Sequence, residues 1–292
     1  MPLKVIVFGG SGFLGSHVAD SLTEQGHEVT IYDVHHSPYL NAGQKMQVAD
    51  ILDTEKVLTA IKGKDVVYNF SGLADLDSSL TRPIDTLRLN VEGTLNILEA
   101  CRLEKVKRFI FASSIYVYSE KGGFYRCSKQ AAETYIEEFQ RKYGIDFTIL
   151  RYGTLYGPRA SETNSVYRYV KQALEKKRVT IAGDGEEIRE YVHVKDAAQL
   201  SVDILAQQYQ NKHLIITGHH PIKLKQLIAT IEEMMGQKIT IDCHPGTNPD
   251  HYTMTPYSYI PKIGQKITSN CYTDIGQGLL GCFQQISESL KK

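Results

Sequence analysis

The fold is decided by the stretch Leu3-Lys4-Val5-Ile6-Val7-Phe8-Gly9-Gly10-Ser11-Gly12-Phe13-Leu14-Gly15. Its apolar first half is typical of a short strand buried in a parallel sheet, and a helical pattern follows it through Gln25. The glycines allow a tight turn, a close approach of backbone N–H groups to a pyrophosphate, and close packing of helix on strand. The stretch therefore predicts a dinucleotide site, whose cofactor-binding residues are Gly9, Ser11, Gly12, Phe13, Leu14 and Gly15.

A second strand is predicted from Glu28 to Tyr32, and it ends at Asp33, about 20 residues beyond the glycines. A carboxylate at this place can accept hydrogen bonds from ribose hydroxyls and would repel a 2′-phosphate. No arginine follows Asp33, so NAD is predicted over NADP, a preference that protonated His35 and His36 would weaken. The alternative is that Asp33 only ends a strand in a turn.

The composition excludes several classes of partner. Lysine plus arginine and aspartate plus glutamate each total 33, so no broad field attracts nucleic acid or an anionic membrane. The first strand begins at the amino terminus, and no apolar stretch reaches the ~18 residues of a membrane span. The five cysteines lack a Cys-x-x-Cys pair. We therefore expect a cytoplasmic protein with reduced thiols, no signal peptide and no metal site.

Strands and helices alternate along the first half of the chain. Strand-like stretches are found at 45–51, 65–70, 109–114 and 147–151, and helical patterns lie between them at 54–62, 85–103 and 125–143. This alternation predicts an α/β fold with a Rossmann-type, doubly wound parallel sheet covered by helices on both faces.

Beyond Arg151 the alternation loosens. Residues 213–217 are expected to return to the main sheet as a strand, whereas 243–266 are rich in Pro, Gly and Tyr. We therefore expect an NAD-binding domain of residues 1–153 and about 190–218. The remaining residues, about 154–189 and 219–292, are expected to form a smaller, loop-rich C-terminal lobe that binds the substrate.

A candidate acid/base group lies in the second half of the first domain. Tyr125 and Lys129 are four residues apart and share one helix face, and Ser114 ends the apolar run that begins at Phe109. An ammonium beside the phenol, together with a nearby cationic ring, would favour the phenolate of a group whose ordinary pKa is about 10. The alternative is an aromatic ring packed against a lysine stem.

Several longer motifs occur in a fixed order along nearly the whole chain. They are Gly9-x-x-Gly12-x-x-Gly15, Asp50-Ile51, Asn90-Val91-Glu92-Gly93-Thr94, Ser113-Ser114-x-x-Val117-Tyr118, Tyr125-x-x-x-Lys129, Arg151-Tyr152-Gly153-Thr154-Leu155-Tyr156-Gly157-Pro158-Arg159 and Arg189-Glu190-Tyr191-Val192-His193. In these motifs the chain resembles the extended short-chain dehydrogenase/reductase family, in its nucleotide-sugar epimerase and dehydratase branch.

The resemblance implies a role for each matching residue. Tyr125 would be the acid/base, Lys129 would bind the nicotinamide ribose, and Ser114 would hold the hydroxyl or carbonyl of the sugar. Thr154 and Arg189 would lie at the sugar-linked diphosphate, although Arg189 could instead form a surface salt bridge with a neighbouring glutamate. The further cofactor contacts implied by the family are Asp50, Ile51, Phe70, Ser71, Gly72, Asn90, Tyr125, Lys129 and Tyr152.

The chain departs from the family where sugar dehydratases carry an acidic pair. Ile115 and Tyr116 occupy these places, so 4,6-dehydration lacks its general acid. The resemblance then implies an NAD-dependent epimerase that acts on a nucleotide-diphosphate sugar. We expect it to act at C4, by transient oxidation to a keto sugar and return of the hydride.

Two alternatives use the same residues. One is a net NAD(P)-dependent reductase or dehydrogenase of a nucleotide-linked sugar, and the other is a non-catalytic NAD-sensing protein of the same fold. Retention of both Tyr125 and Lys129 disfavours the non-catalytic alternative. The helical segments 85–103 and 125–143 correspond to those that pair in the dimers of the family, so we also expect a homodimer.

Overall fold

The computed structural model describes residues 2–244, 251–254 and 256. The chain divides into two units, residues 1–259 and 260–292, and every described residue belongs to the first unit. Most of the residues from 245 onward in the expected substrate lobe therefore lie outside the described residues, as do Cys271 and Cys282.

Twelve strands and nine α-helices are assigned within the described residues. The strands are β1 Lys4–Phe8, β2 Glu28–Asp33, β3 Gln44–Val48, β4 Val66–Asn69, β5 Arg108–Ser114, β6 Asp146–Tyr152, β7 Thr154–Tyr156, β8 Arg178–Ala182, β9 Ile188–His193, β10 Lys212–Ile216, β11 Pro221–Lys223 and β12 Thr240–His244. The helices are α1 Phe13–Glu24, α2 Thr54–Ile61, α3 Leu76–Thr81, α4 Pro83–Leu87, α5 Gly93–Leu103, α6 Gly123–Tyr143, α7 Ser165–Lys176, α8 Val194–Asp203 and α9 Leu224–Met235.

The main sheet has seven parallel strands in the order β10-β6-β5-β4-β1-β2-β3. The order reverses beside β1, so the carboxyl ends of β1 and β4 open a crevice there, which is where ligands bind in sheets of this kind. The predicted doubly wound parallel sheet is confirmed. The expected return strand is confirmed as well, because β10 pairs in parallel with β6 at the edge of the sheet.

Alternating side chains of β1 separate the two layers of core. Ile6 and Phe8 pack with residues of α2, α5 and α6 on one face, whereas Val5 and Val7 pack with α1 and α8 on the other. All four side chains are fully buried. Burial of an aliphatic or aromatic side chain contributes about 1.5–3 kcal/mol, so the strand that leads into the glycine turn is held firmly from both sides.

A third apolar cluster lies outside the main sheet. It joins α7 and α9 with the small parallel pair β8 and β12, and its buried members are Ala173, Val179, Ile181, Leu224, Ile228, Ile231 and Ile239. A second small sheet has three strands in the order β11-β9-β7, which come from the same part of the sequence. The separate cluster supports the division into a cofactor domain and a substrate lobe, which stays a proposal.

Two predicted elements differ in detail. The predicted strand 45–51 ends at Val48, because Asp50 turns the chain by accepting a hydrogen bond from the Leu52 N–H at 2.9 Å. The predicted helix 85–103 is interrupted by a π-helical turn, Arg88–Glu92, between α4 and α5. Its central residue, Asn90, is buried and uses its amide to bind other parts of the chain, which favours such a local widening.

Two properties of the described residues bear on possible membrane and metal partners. No helix in this part of the chain combines the length and apolar character needed to cross a membrane. In the same residues, no group of three or more His, Cys, Asp or Glu side chains is arranged to hold a metal ion.

Candidate active site

The glycine turn brings three backbone segments closer together than any side chain would allow. Gly9 has a φ of +74°, and a Cβ there would lie 2.6 Å from the Ser71 backbone nitrogen. A Cβ on Gly15 would lie 2.2 Å from the Gly9 carbonyl oxygen. Gly12 caps α1 without a side-chain hydrogen bond, so the first N–H groups of the helix remain available to an anion.

Asp33 lies at the carboxyl end of β2, beside this turn. One carboxylate oxygen accepts a hydrogen bond from the Ser11 N–H at 3.0 Å, and the other accepts one from the His35 N–H at 3.2 Å. The Ser11 hydroxyl donates to the His35 carbonyl at 2.8 Å. These bonds fix the carboxylate and leave further lone pairs for ribose hydroxyls, so Asp33 does more than end a strand.

The other predicted cofactor residues surround the same crevice. Ile51 is buried against Gly93, and Asp50 lies at the turn after β3. Phe70, at the end of β4, stacks on Tyr68 with ring centroids 5.9 Å apart. The open anion site, the fixed carboxylate and the flanking apolar residues fit NAD, which when bound supplies the acceptor and donor of a hydride.

Two predicted cofactor residues, Asn90 and Ser71, have their polar groups engaged by the protein. The Asn90 amide oxygen accepts from the Leu73 N–H at 2.7 Å, and its nitrogen donates to the Ser128 hydroxyl at 2.9 Å. The Ser71 hydroxyl donates to the Asn69 side chain at 2.5 Å. Asn90 therefore ties the loop after β4 to α6, and its amide acts on the crevice by positioning that loop.

A third predicted cofactor residue, Tyr152, also has its polar group engaged by the protein. Its hydroxyl lies 2.6 Å from the Ser201 hydroxyl on α8, and burial raises the pKa of its phenol well above the ordinary value. The neutral ring fills the end of β6, so any contact with a ligand is made by the ring rather than by the hydroxyl.

A cavity of about 800 Å³ opens beside the crevice. A volume of this size suits a small-molecule site. The cavity brings together six residues that the sequence predicts for the cofactor or the substrate, although they are distant along the chain: Phe13, Ser114, Tyr125, Tyr152, Thr154 and Arg189. Lys129 is buried behind Tyr125 and is absent from the described lining.

Ser114, Tyr125 and Lys129 meet where β5 ends and α6 begins. The Ser114 side chain is hydrogen-bonded to the Tyr125 hydroxyl. Lys129 lies one turn further along α6, with its ammonium 5.8 Å from the centroid of the Tyr125 ring. The ammonium donates to the Ala112 carbonyl at 2.7 Å and lies over the Phe111 ring at 4.7 Å. The three residues form one group, but the ammonium is aimed at the backbone.

This arrangement differs from the sequence-based expectation for the pKa of the Tyr125 phenol. Burial raises the pKa of Tyr125 to about 12, and the hydrogen bond from Ser114 only partly opposes that rise. Burial also lowers the pKa of Lys129 to about 8, against the influence of the Glu133 carboxylate. Lys129 lies beside the Tyr125 ring, as expected, but its ammonium is not among the groups that lower the pKa of this phenol in the protein alone. Of the two predicted influences on the phenol, the cationic ring of the cofactor is the one that remains.

Glu133 anchors the group from behind and was not predicted. It lies one helical turn beyond Lys129 and accepts two hydrogen bonds from Arg151, at 3.0 and 2.6 Å. It also accepts one from the Ser113 hydroxyl at 2.5 Å. Both members of the ion pair are largely buried, with side chains 8% and 15% exposed. The pair links β5, β6 and α6, and so joins the strand that carries Ser114 to the helix that carries Tyr125 and Lys129.

Replacing Glu133 tests this anchoring role. We expect Glu133→Gln to lower the free energy of unfolding by about 3 kcal/mol, because it leaves the Arg151 guanidinium buried without its counter-charge. On the same helix, Glu138 pairs with Arg141 at 2.9 Å and is 54% exposed, so Glu138→Gln should change stability by less than about 0.5 kcal/mol. Denaturant unfolding of the two variants checks the difference, and equal effects would contradict the assigned role.

Arg189 and Thr154 face the cavity from the strands β9 and β7. The Arg189 guanidinium lies 4.5 Å from the centroid of the Tyr252 ring and is hydrogen-bonded to its hydroxyl. The Thr154 hydroxyl lies 3.4 Å from the same hydroxyl. Within residues 2–244, 251–254 and 256, Arg189 forms no ion pair with a carboxylate. The alternative of a surface salt bridge therefore finds no support in this part of the chain.

Three further lining residues were not predicted as site residues. Tyr116 is hydrogen-bonded to His251, and its ring lies 4.8 Å from that of Tyr252. The sequence contains one indication of them, because Tyr116 follows Ser114 by two residues and 243–266 is rich in tyrosine. It gave no indication of which tyrosine in that segment reaches the cavity, because the contact depends on tertiary packing.

The fold and the site together define a class of protein. A doubly wound sheet with a glycine turn after β1, and a Ser–Tyr–Lys group beside the resulting crevice, is the arrangement of a dinucleotide-dependent short-chain dehydrogenase/reductase. The chain belongs to the NAD dependent epimerase/dehydratase family, whose model matches residues 5–217. The resemblance drawn from the motifs is thereby confirmed, and so is NAD as the cofactor at the level of the family.

Individual relatives agree with this assignment. The chain is 27% identical to an uncharacterized UDP-glucose epimerase of Bacillus subtilis, over 82% of this chain and 84% of the relative. It is similar in structure to a UDP-glucose 4-epimerase of Thermotoga maritima crystallised with UDP-glucose, with a TM-score of 0.81, 28% identity and coverage of 88% and 90%. A UDP-glucuronic acid 4-epimerase of Bacillus cereus, in complex with UDP-glucuronic acid and NAD, gives a TM-score of 0.81, 25% identity and coverage of 90% and 95%.

Proposed function

We propose that this protein is an NAD-dependent epimerase that inverts C4 of a nucleotide-diphosphate sugar, with UDP as the nucleotide. The observation that carries the proposal is the shared cavity, which is lined by the Ser114–Tyr125 pair and by Arg189. An acid/base group and a diphosphate-binding arginine on one cavity suit a nucleotide sugar. The similar epimerases of Thermotoga maritima and Bacillus cereus, which were crystallised with UDP-glucose and UDP-glucuronic acid, support the choice of nucleotide.

Each residue has one role in this proposal. Tyr125 takes the proton of the C4 hydroxyl as C4 loses its hydride. The keto sugar then rotates to present its other face, and Tyr125 returns the proton when the hydride returns to C4. Ser114 holds the C4 oxygen, and Lys129 binds the nicotinamide ribose. Thr154 and Arg189 hold the diphosphate, so the sugar can rotate while its linkage stays fixed. Asp33 binds the adenosine ribose, and the glycine turn binds the pyrophosphate.

The proposed reaction leaves no net redox change, and this property distinguishes it from the reductase or dehydrogenase alternative. The protein is incubated with NAD and UDP-glucose, and the products are followed by proton NMR. We expect the C4 epimer, UDP-galactose, to form without stoichiometric appearance of the absorbance of reduced NAD. Reduced NAD equal in amount to the sugar consumed would contradict the epimerase and favour the dehydrogenase.

Replacing Arg189 tests the diphosphate site. We expect Arg189→Met to raise the KM for UDP-glucose about 10- to 100-fold and to change kcat by less than about threefold. The reason is that a charge-assisted hydrogen bond to phosphate is made equally in the ground state and the transition state. Arg178 on β8 is paired with Asp242 at 3.0 Å and is mostly exposed, so Arg178→Met is the matched control. A fall in kcat with an unchanged KM would contradict the assignment.

We also propose that the protein forms a homodimer through the helices α4, α5 and α6. Their exposed apolar side chains support the proposal, because Leu87, Leu103 and Tyr135 are each about half exposed on the isolated chain. Light scattering of the purified protein tests the dimer.

We also propose a cytoplasmic location for the protein. It is supported by the unpaired thiols of Cys101, Cys127 and Cys243.

A further inference from the structure

Tyr252 lies among the groups that the proposed function gives to the diphosphate. It is 6% exposed and lines the cavity together with Arg189 and Thr154. The Arg189 guanidinium is hydrogen-bonded to the Tyr252 hydroxyl and lies 4.5 Å from the centroid of its ring. The Thr154 hydroxyl lies 3.4 Å from the same phenol oxygen. The two side chains proposed to bind the diphosphate therefore meet at one phenol oxygen, which belongs to a residue that the sequence did not predict.

The backbone around Tyr252 is tied to the strand that carries Arg189. The Ile188 N–H donates to the Thr253 carbonyl at 2.8 Å, and Ile188 forms a parallel bridge with Met254. Ile188 is the first residue of β9, and Arg189 follows it directly. The phenol and the guanidinium are therefore held next to each other by the backbone as well as by their own hydrogen bond.

The protons at the Tyr252 oxygen decide what it can bind. An arginine side chain carries donors only, so this oxygen accepts the hydrogen bond from Arg189 and keeps its own proton for another acceptor. Within residues 2–244, 251–254 and 256, the other hydrogen-bonding partner of this oxygen is the Thr154 hydroxyl. That contact, at 3.4 Å, is longer than the ~2.5–3.0 Å of a normal O–H···O hydrogen bond. The phenol proton is therefore available to a better acceptor.

A diphosphate is such an acceptor. Its oxygens are charged, and a hydrogen bond to a charged acceptor is about twice as strong as one between neutral groups. The hydrogen bond from the Arg189 cation polarises the Tyr252 hydroxyl, which makes it a stronger donor. The guanidinium has further N–H groups that can bind the same ligand. One diphosphate can therefore be held by Arg189, Thr154 and Tyr252 together.

We propose that Tyr252 is a third diphosphate-binding residue, whose hydroxyl accepts a hydrogen bond from Arg189 and donates its proton to a diphosphate oxygen. This inference rests on the proposed function and adds a residue to its nucleotide site. The cation–π contact of the Tyr252 ring keeps the guanidinium beside the ligand.

The opposite role for Tyr252 gives an opposite result. In that role the phenol oxygen takes the place of a phosphate oxygen in the free protein, and it must leave before the diphosphate binds. Removal of the hydroxyl would then tighten diphosphate binding, whereas it weakens binding if the hydroxyl is a donor to the ligand. The sign of the change in affinity therefore distinguishes the two roles.

UDP is the probe for this site, because it carries the diphosphate without a sugar. Calorimetric titration of the full-length protein in the presence of NAD gives the Kd for UDP. We expect Tyr252→Phe, which keeps the ring and removes the hydroxyl, to raise this Kd about tenfold. Tyr167 on α7 is 38% exposed and does not line the cavity, so Tyr167→Phe is the matched control. An unchanged or lower Kd in Tyr252→Phe would overturn the inference.

Uridine separates a contact with the diphosphate from a general change in the structure of the site. It has the nucleoside of UDP but no phosphate, and its weaker binding is measured by ligand-observed NMR. We expect Tyr252→Phe to change the Kd for uridine by less than about twofold, because uridine has no phosphate oxygen for the hydroxyl to bind. An equal loss of affinity for uridine and UDP would overturn the inference.

Turnover distinguishes this inference from the proposed reaction. With UDP-glucose as substrate, we expect Tyr252→Phe to raise KM about tenfold and to change kcat by less than about threefold, because the diphosphate is held equally before and during the reaction. Weaker UDP binding in Tyr252→Phe supports the inference even if the wild-type protein epimerises no sugar, an outcome that would refute only the proposed reaction. Absence of UDP binding to the wild-type protein would overturn the inference together with the choice of UDP as the nucleotide.

Discussion

We expect Tyr125→Phe to lower kcat for the epimerisation of UDP-glucose at least about 1000-fold while changing the Kd for NAD less than about threefold. The substitution removes one oxygen from a side chain that lies on the cavity and is hydrogen-bonded to Ser114. The aromatic ring remains to pack beside Tyr116 and Lys129. Turnover is measured by proton NMR, and NAD binding by calorimetry.

A second tyrosine on α6 provides the control. Tyr135 is about half exposed and does not line the cavity, so Tyr135→Phe should keep full activity. If Tyr125→Phe retained more than about a tenth of the wild-type kcat, the proton would have to be taken by another group, and the role assigned to Tyr125 would be refuted.

Gly15→Ala is expected to have the second large effect. The added Cβ would lie 2.2 Å from the Gly9 carbonyl oxygen and 3.0 Å from the Gly10 Cα, and both are backbone atoms that cannot turn away. We expect the free energy of unfolding to fall by about 3 kcal/mol and the Tm by about 6–12 °C. The displaced turn should also weaken NAD binding at least about 30-fold, as measured by calorimetry.

Gly12 separates packing from cofactor contact. Its φ of −79° and ψ of 179° suit alanine, and an added Cβ would come no closer than 3.3 Å to the Gly9 carbonyl oxygen. Gly12→Ala should therefore change the free energy of unfolding by less than about 1 kcal/mol, while still weakening NAD binding, because we propose that Gly12 faces the pyrophosphate. If Gly15→Ala kept both its Tm and its NAD affinity, the close packing of α1 on the turn would not be required.

The fold could be predicted largely because local patterns and the global structure agree. The run from Val5 to Phe8 is apolar on both sides, and the structure buries Val5 and Val7 on one face and Ile6 and Phe8 on the other. The glycine turn follows directly, which marks β1 as the strand beside which the order of a doubly wound sheet reverses. Irregular details were missed, such as the π-helical turn around Asn90, because they depend on tertiary hydrogen bonds.

The site could be predicted where one residue type carries the chemistry. Ser114 and Tyr125 are in contact, and both lie on the cavity with Arg189. The direction of the Lys129 ammonium was not predictable, because its acceptor is a backbone carbonyl of the neighbouring strand, at Ala112. A shared helix face limits only which residues are neighbours, whereas the hydrogen bond is chosen by the packing around them.

Glu133 and Tyr116 were not predicted as site residues for the same physical reason. Glu133 is paired with Arg151, and Tyr116 is hydrogen-bonded to His251, so each is held by a partner from another segment of the chain. No spacing in a single sequence encodes such a pair. Their contributions become visible only when burial and distance are known, because a buried charge or phenol requires a partner that an exposed one does not.

The central claim is transient oxidation at C4 with return of the same hydride, and the fate of the hydrogen on that carbon tests it most directly. UDP-glucose labelled with deuterium at C4 is incubated with the protein and NAD in ordinary water, and the products are followed by NMR. We expect UDP-galactose to form and to keep its deuterium at C4, with no reduced NAD released. Loss of the deuterium to solvent, or its recovery in released reduced NAD, would contradict oxidation at C4 with return of the same hydride.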